Sequence, residues 1–487
     1  MTRCKALAAL LLGGVVSACT VVGPDYKPIP LDDLPKGWTE QLPPAAGVDA
    51  MRAWWDSFQD PTLSRLVQAA IADNEDLKIA RQRLVQARAA RVIAKSADLP
   101  DVRLGIDPAL QRSSESVDWP AGIGSYHTWQ AELDATWEID VFGGTRRAVE
   151  AADADIAATE EGRRAILVSL LAEVATDYAR LRAAQLRLTI AENNIAVAAK
   201  ALDLAQRAYQ RGLGTLLDVA QAKSQLETVQ AATPPLQATV ARMSHAIAIL
   251  LGRYPGELEA ELSQPAPLLT VPASLPVSLP SEVVANRPDI RRADRRYAAA
   301  NARIGVATAA SLPHFAIPLT LMPQAADLGK LFSLASLTYS LGAQVAGPVY
   351  NGGRDDARIT MAKADAEAAR IDYERTVKEA LRDVEDALVN YQTESRRQQS
   401  LAAARVDAAQ ALDHATRLYG AGLTDFLKVL DSERQAYQAE DREAESRLAR
   451  VEHVITLYKA LGGGWQGVDL DAAPAVDGPA GAAASRD

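Results

Sequence analysis

Five histidines (127, 245, 314, 414 and 453) are the side chains of this 487-residue chain best suited to acid–base or metal chemistry, and they are scattered. No two have H-E-x-x-H spacing, no glycine-rich phosphate loop follows a strand, and G-x-S-x-G is absent. Five methionines give no relay for soft metals. No catalytic residue, metal or cofactor is therefore expected. Covalent chemistry falls to the two cysteines, Cys4 and Cys19. Both lie in one stretch: Arg3 and Lys5, then the apolar run "ALAALLLGGVV" (6–16), then "VSAC" (16–19). That is the charged, apolar, small-residue order of a signal peptide, here residues 1–18.

"VSAC" resembles a bacterial lipobox, which implies cleavage before Cys19 and lipid on its sulfur and on the new N-terminus. Cys4 leaves with the signal, so the mature chain has no partner for an internal disulfide. Removing Arg3 and Lys5 takes the formal charge from -10 to about -12. With no basic stripe, this balance excludes a nucleic-acid partner. A composition of 48% hydrophobic and 23% charged residues is one that folds. Beyond the signal, no run approaches the ~20 apolar residues of a membrane-crossing helix, so any further crossing must be made of strands.

The elements that position these residues are written twice. "SADLP" (96–100) recurs as "AASLP" (309–313), "VFGGTR" (141–146) as "VYNGGR" (349–354), and "YQRGLGTLLDV" (209–219) as "YGAGLTDFLKV" (419–429). The offsets, 213, 208 and 210, differ only by small indels and indicate a tandem duplication. The expected division is an N-terminal segment 19–61, a first repeat 62–252, a Pro-rich linker 253–280, a second repeat 281–462, and a C-terminal segment 463–487. Each repeat reads as helix, two strands, long helix and return helix. In the first, Thr62 to about Asp98 is helical, and Arg146 to about Gln210 holds no Pro and one Gly, a rod of ~100 Å. Leu167, Val174, Leu181, Leu188, Ile195, Leu202 and Tyr209 recur every seven residues, with Leu170, Ala184, Ala191, Ala198 and Ala205 three further on, as in a coiled-coil seam. Glycines at "RGLGT" (211–215) and "GAGLT" (420–424) reverse the chain, with Thr215 and Thr424 at the expected N-caps, and "TPP" (233–235) must break or kink the first return helix.

"TWQAELDATWEIDVFGG" (128–144) has an unbroken period of two, with Trp129, Leu133 and Trp137 on its apolar face. Its copy runs from Leu337 to Val349, with Leu337, Tyr339 and Leu341 on the same kind of face. Shorter alternations at Val102–Leu110 and Phe315–Leu321 precede them. Taken alone, two hairpins packed on helices in a soluble domain fit equally well. Lipid anchoring and length favour the membrane. Thirteen residues at ~3.3 Å span ~43 Å, or roughly 30 Å when tilted by ~45°, which matches the hydrocarbon thickness. Trp129 and Trp137 would sit about 26 Å apart in two aromatic girdles. Four strands cannot close a barrel, and open edges cannot sit in lipid. Two chains would give eight strands with a filled interior, and three would give twelve around an aqueous passage. The expected fold is mainly α with a small β part: an elongated α-helical coiled-coil barrel continuous with a trimeric 12-stranded transmembrane β-barrel, four strands per chain.

On these motifs, with "WEIDVFGGTRRAVEAA" (137–152), "GPVYNGGR" (347–354), "CTVVGPDYKP" (19–28) and "LYKALGGGW" (457–465), the chain resembles the TolC-like outer-membrane factors, specifically the lipoprotein (NodT-type) branch serving resistance-nodulation-division efflux pumps. The resemblance implies a homotrimeric exit duct in the outer membrane that passively conducts substrates received from a periplasmic adaptor and an inner-membrane pump of that or another class. It also implies an equatorial collar and a periplasmic tip opened by adaptor docking. Thr20, rather than Asp, after the lipidated Cys19 fits outer-membrane export. At the tip the family's aperture positions match Asp218, Tyr419 and Asp431, with Asp425 nearby, and its adaptor contacts match Gly212, Leu213, Gly422 and Leu423. Asp218 also stands where a carboxylate caps a helix. Where some members carry a locking Arg and an Asp, this chain has Thr424 and Lys428, so the lock would rest on packing and hydrogen bonds, including Tyr419 to Asp218. The alternative is a periplasmic adaptor lipoprotein, which carries one coiled-coil hairpin rather than a duplicated unit. A lipid-anchored envelope enzyme is more remote still.

Overall fold

A computed structural model describes residues 21–30, 34–40, 51–112, 114, 116, 125–272, 274–275 and 278–471. The signal segment and Cys19 lie outside the described residues. The first repeat comprises α1 (Pro61–Asp73), α2 (Glu75–Ser96), β1 (Asp101–Arg112), β2 (Ser125–Ile139), α3 (Gly144–Gln210), α4 (Leu216–Gln230) and α5 (Thr233–Leu250). The short α6 (Glu259–Leu262) lies in the linker. The second comprises α7 (Pro280–Asn286), α8 (Pro288–Ala309), β3 (His314–Ala325), β4 (Leu337–Leu341), β5 (Gln344–Ala346), α9 (Arg354–Gly420) and α10 (Phe426–Ala460). The two long helices, α3 and α9, are 67 residues each.

Three local departures from the sequence reading have physical causes. The leading helix is interrupted at Asn74, whose side chain accepts from Leu77 N–H at 3.1 Å and donates to the Leu250 carbonyl at 2.9 Å. The end of α5 presses on this break: a Cβ on Gly252 would stand 2.5 Å from the Asp73 carbonyl oxygen. The fourth strand is interrupted between Leu341 and Gln344, and both pieces, β4 and β5, pair with β3. The cap of α10 is Asp425 rather than Thr424; its carboxylate accepts from Lys428 N–H at 3.0 Å. Counting by the 210-residue offset, Asp425 is the counterpart of Thr215, so both caps occupy one position of the duplicated turn.

Two compact units emerge, and each draws on both repeats. The first holds the described residues of Met1–Pro30 with Gln82–Glu160 and Arg292–Arg375; the second holds those of Leu31–Arg81, Glu161–Arg291 and Thr376–Asp487. In the first unit the sheet order is β1-β2-β3-β4, all antiparallel. An N-terminal strap ties its helices together. The buried Arg147 of α3 donates to the carbonyls of Val22 (3.0 Å) and Gly23 (3.2 Å) and to Asp25 (2.7 Å). From α8, Asn301 donates to the Pro24 carbonyl at 3.0 Å, and Asp294 accepts from the Tyr26 hydroxyl. The strap lies so close that a Cβ on Gly305 would stand 2.6 Å from Arg147 Cγ and 2.8 Å from the Val22 oxygen.

The second unit contains the main hydrophobic core, where Leu63 and Leu66 of α1, Leu167, Leu171, Val174 and Leu181 of α3, Ile247 of α5, Val384 and Leu388 of α9 and Val451, Val454, Ile455 and Leu457 of α10 are buried together. Trp54 stacks on Tyr458 with centroids 5.0 Å apart and planes at 15°. Toward the tip the packing face of α3 shifts: Leu188, Ile195 and Leu202 are only half-buried, whereas Ala184, Ala191, Ala198 and Ala205 are buried. Methyl-sized side chains there let neighbouring backbones approach. Within the second repeat α8, α9 and α10 are tied together by Arg287, which donates to both oxygens of Asp289 (3.0 and 2.6 Å), to Asp383 (3.3 Å) and to the Ala460 carbonyl (2.9 Å).

Candidate functional site

The sheet sorts its side chains by register. Leu104, Leu133, Leu321 and Tyr339 stand directly opposite one another across β1 to β4, and beside them Val102, Ala135, Leu319 and Leu341 form a second apolar row. Between these, Arg103, Asp134, Thr320 and Ser340 form a polar row on the other face, where Thr320 donates to Asp134 at 2.7 Å. Residues paired across an antiparallel ladder share a face, so one face is apolar over four strands and the other polar. The apolar face is uncovered: Leu104 and Tyr339 are each 72% exposed. Leu133, Trp137, Leu337 and Leu341 are exposed as well, and Trp129 is half-buried opposite Pro108 and Ala325. Trp137 anchors one end of its strand by donating to the Asp98 carbonyl at 2.9 Å. Among the described residues β1 pairs only with β2, and β4 only with β3, which leaves two free sheet edges. No helix among them is long and apolar enough to cross a membrane.

The tip, in the second unit, is built from two copies of one turn. Gly212 N–H donates to the Tyr209 carbonyl and Leu213 N–H to Ala208, both at 2.9 Å; Gly422 donates to Tyr419 and Leu423 to Leu418 at the same 2.9 Å. This is the helix-ending arrangement with a left-handed residue after the cap, and Gly212 (φ 75°) and Gly422 (φ 72°) supply it. The turns hold Leu213 (80% exposed) and Leu423 (73% exposed) out in solvent. Behind them Ala201 and Ala205 of α3, Ala222 of α4 and Phe426 and Val429 of α10 form a small separate core.

The four expected aperture residues are all at this tip, and each is engaged locally. Asp218 and Thr215 form a reciprocal capping box, Asp425 caps α10, and Asp431 accepts from Arg434 and Gln435, both at 2.7 Å. Tyr419 packs on Phe426 with centroids 5.2 Å apart. Its hydroxyl is buried without a hydrogen-bond partner, so the expected bond to Asp218 is not formed. Burial raises the Tyr419 pKa, and the nearby Asp218 charge adds to the effect. Sequence reading missed Glu433, buried one turn beyond Val429; its position seven after Phe426 was the available signal. No group of metal-binding side chains occurs among the described residues.

A sorted sheet with free edges and a long-helix body reversing in twin turns define an outer-membrane channel fold. The solved outer-membrane channel OprN matches it with a TM-score of 0.81 and 34% sequence identity, covering 91% of this chain and 99% of that one. The chain belongs to the Outer membrane efflux protein family, whose profile matches residues 66–253 and 279–463, one stretch in each repeat. It is 33% identical to the pyoverdine export outer membrane protein OpmQ of Pseudomonas putida over 96% of this chain and 99% of that protein. It is 29% identical to the toluene efflux pump outer membrane protein TtgC of Pseudomonas putida over 94% and 95%. The protein is thus an efflux channel component of the outer membrane, and these relatives do not support the adaptor alternative.

Proposed function

We propose that three copies join the free edges of their sheets into a twelve-stranded barrel and act as the passive exit duct of a tripartite pump, without catalysis. The observation that carries this reading is the sheet itself, with one uncovered apolar face and two unpaired edges. Backbone groups left unpaired in lipid cost several kcal/mol each, and closure between subunits removes that cost. Trp129, Leu133, Trp137, Leu337, Tyr339 and Leu341 then face lipid, and the polar row faces water. Cys19 carries the lipid anchor, and segments 19–61, 253–280 and 463–487 contribute to an equatorial collar. At the tip Asp218, Tyr419, Asp425 and Asp431 line the aperture, and Gly212, Leu213, Gly422 and Leu423 meet a periplasmic adaptor that links the duct to an inner-membrane pump. Relatives named for pyoverdine export and for toluene efflux span nearly the full length of this chain, which fits a conduit whose substrate choice lies in the pump. Migration of outer-membrane extracts on a gel without boiling tests the assembly: a heat-labile trimer band is expected, and a monomer in the inner-membrane fraction would refute it.

A further inference from the structure

Glu433 is a carboxylic acid where the packing offers it nothing. It is 2% exposed, and neither carboxyl oxygen has a hydrogen-bond partner. It follows Phe426 and Val429 of the tip core by seven and four positions, so it shares their buried face of α10, about 10 Å along the helix from the turn. Charged groups on the packed elements are occupied elsewhere or give it no bond. On α3, Asp203 pairs with Arg207; on α9, Asp413 pairs with Arg417 at 2.8 Å; on α10 itself, Asp431 takes Arg434. Asp218 is spent in its cap, and Lys223 and Glu227 of α4, Lys428 and Tyr437 supply no partner to its oxygens. The counterpart in the first repeat, 210 residues earlier, is the exposed Lys223, so each chain carries one such acid.

A neutral acid tolerates burial; a carboxylate without a partner does not. We propose that Glu433 is a proton-operated catch in the tip: protonated, it lets the first turns of α10 close on α3 and α4, and ionised, it must reach water, which parts those turns and loosens the aperture. The inference rests on the exit-duct reading for its functional meaning. Burial, acting alone, pushes this carboxyl from 4.5 up to about 7. The sign follows from proton uptake. The packed tip holds more protons than the released one between those two values, so its packing is fully favoured below 4.5 and is lost as pH rises toward 7. Across that window each pH unit weakens the packed state about tenfold per subunit.

The test uses the full-length assembled protein, with hydrogen exchange over residues 426–437 from pH 5.5 to 8.5, corrected for intrinsic rates, and planar-bilayer conductance over the same range. Protection is expected to fall and conductance to rise with a midpoint near 7. Glu433→Gln, similar in shape and without charge, is expected to stay protected and poorly conducting throughout; Glu433→Leu provides a second uncharged variant. Flat exchange in the parent protein, or an unchanged midpoint in both variants, overturns the proposal. Absent conductance at every pH alongside pH-dependent exchange supports the catch and counts against the duct reading.

Discussion

Thr215 and Asp218 cap each other. The Asp218 carboxylate accepts from Thr215 N–H at 2.8 Å, and the Thr215 hydroxyl accepts from Asp218 N–H at 3.2 Å. Two of the free donors at the start of α4 are satisfied by this exchange. Thr215→Ala is expected to cost about 1 kcal/mol and to speed exchange at residues 216–219. Asp218→Asn keeps an acceptor while removing a charge. If Asp218 also lines the aperture, this variant shifts the reversal potential toward anions with little loss of stability; an unchanged potential would confine Asp218 to capping.

The twin turns separate stability from docking. Nothing lies within 4 Å of a Cβ built on Gly212 or Gly422, so alanine there costs only the left-handed backbone, about 1–2 kcal/mol. Leu213 and Leu423 touch little of their own chain. Leu423→Ala is expected to change stability by less than about 0.5 kcal/mol while lowering the amount of cross-linked adaptor recovered. Undiminished cross-linking in the Leu213→Ala, Leu423→Ala double variant would remove these leucines from the docking surface.

Burial of Asp289 favours its neutral form, but the Arg287 hydrogen bonds and charge outweigh it and hold the carboxyl below its ordinary 3.8. A depressed carboxylate stabilises the fold above its ordinary value and loses that contribution as pH falls through it. Melting temperature is therefore expected to decline below about pH 4, and less steeply in Asp289→Asn. Arg287→Met strands Asp289 and the Ala460 carbonyl and should cost about 3–5 kcal/mol. Parallel pH profiles of the parent and Asp289→Asn would refute the assignment.

Gly305→Ala should release the strap. The added carbon meets Arg147 Cγ and the Val22 carbonyl well inside contact distance, and the cost is about 1–3 kcal/mol. Limited proteolysis is the readout, with cleavage within residues 21–30 expected in the variant and not in the parent protein.

Periodicity made the sheet and the long helices legible, because an uncovered face or a long seam repeats one choice many times. Trp129, Leu133 and Trp137 announce their face without any neighbour, and Pro234 and Pro235 announce the break before α5. Features set by a single tertiary contact were not legible. Asn74 interrupts the leading helix because the distant Gly252 abuts Asp73, and the shift of the α3 seam from leucine to alanine depends on how near the adjoining helices come. Thr424 and Asp425 are both good caps, and only the turn geometry selects the second. Asp218, Asp425 and Asp431 were readable as tip carboxylates, but their local bonds were not. Glu433 was hidden because a charged letter in a polar helix reads as solvated until its surroundings are known.

The interruption at Ala231–Ala232 has no equivalent in α10, whose 35 residues run without a break. Each chain thus pairs a jointed return segment with a stiff strut. In the ring of three proposed above, jointed and unbroken return segments would alternate around the rim, and dilation would flex the three joints instead of widening the rim uniformly.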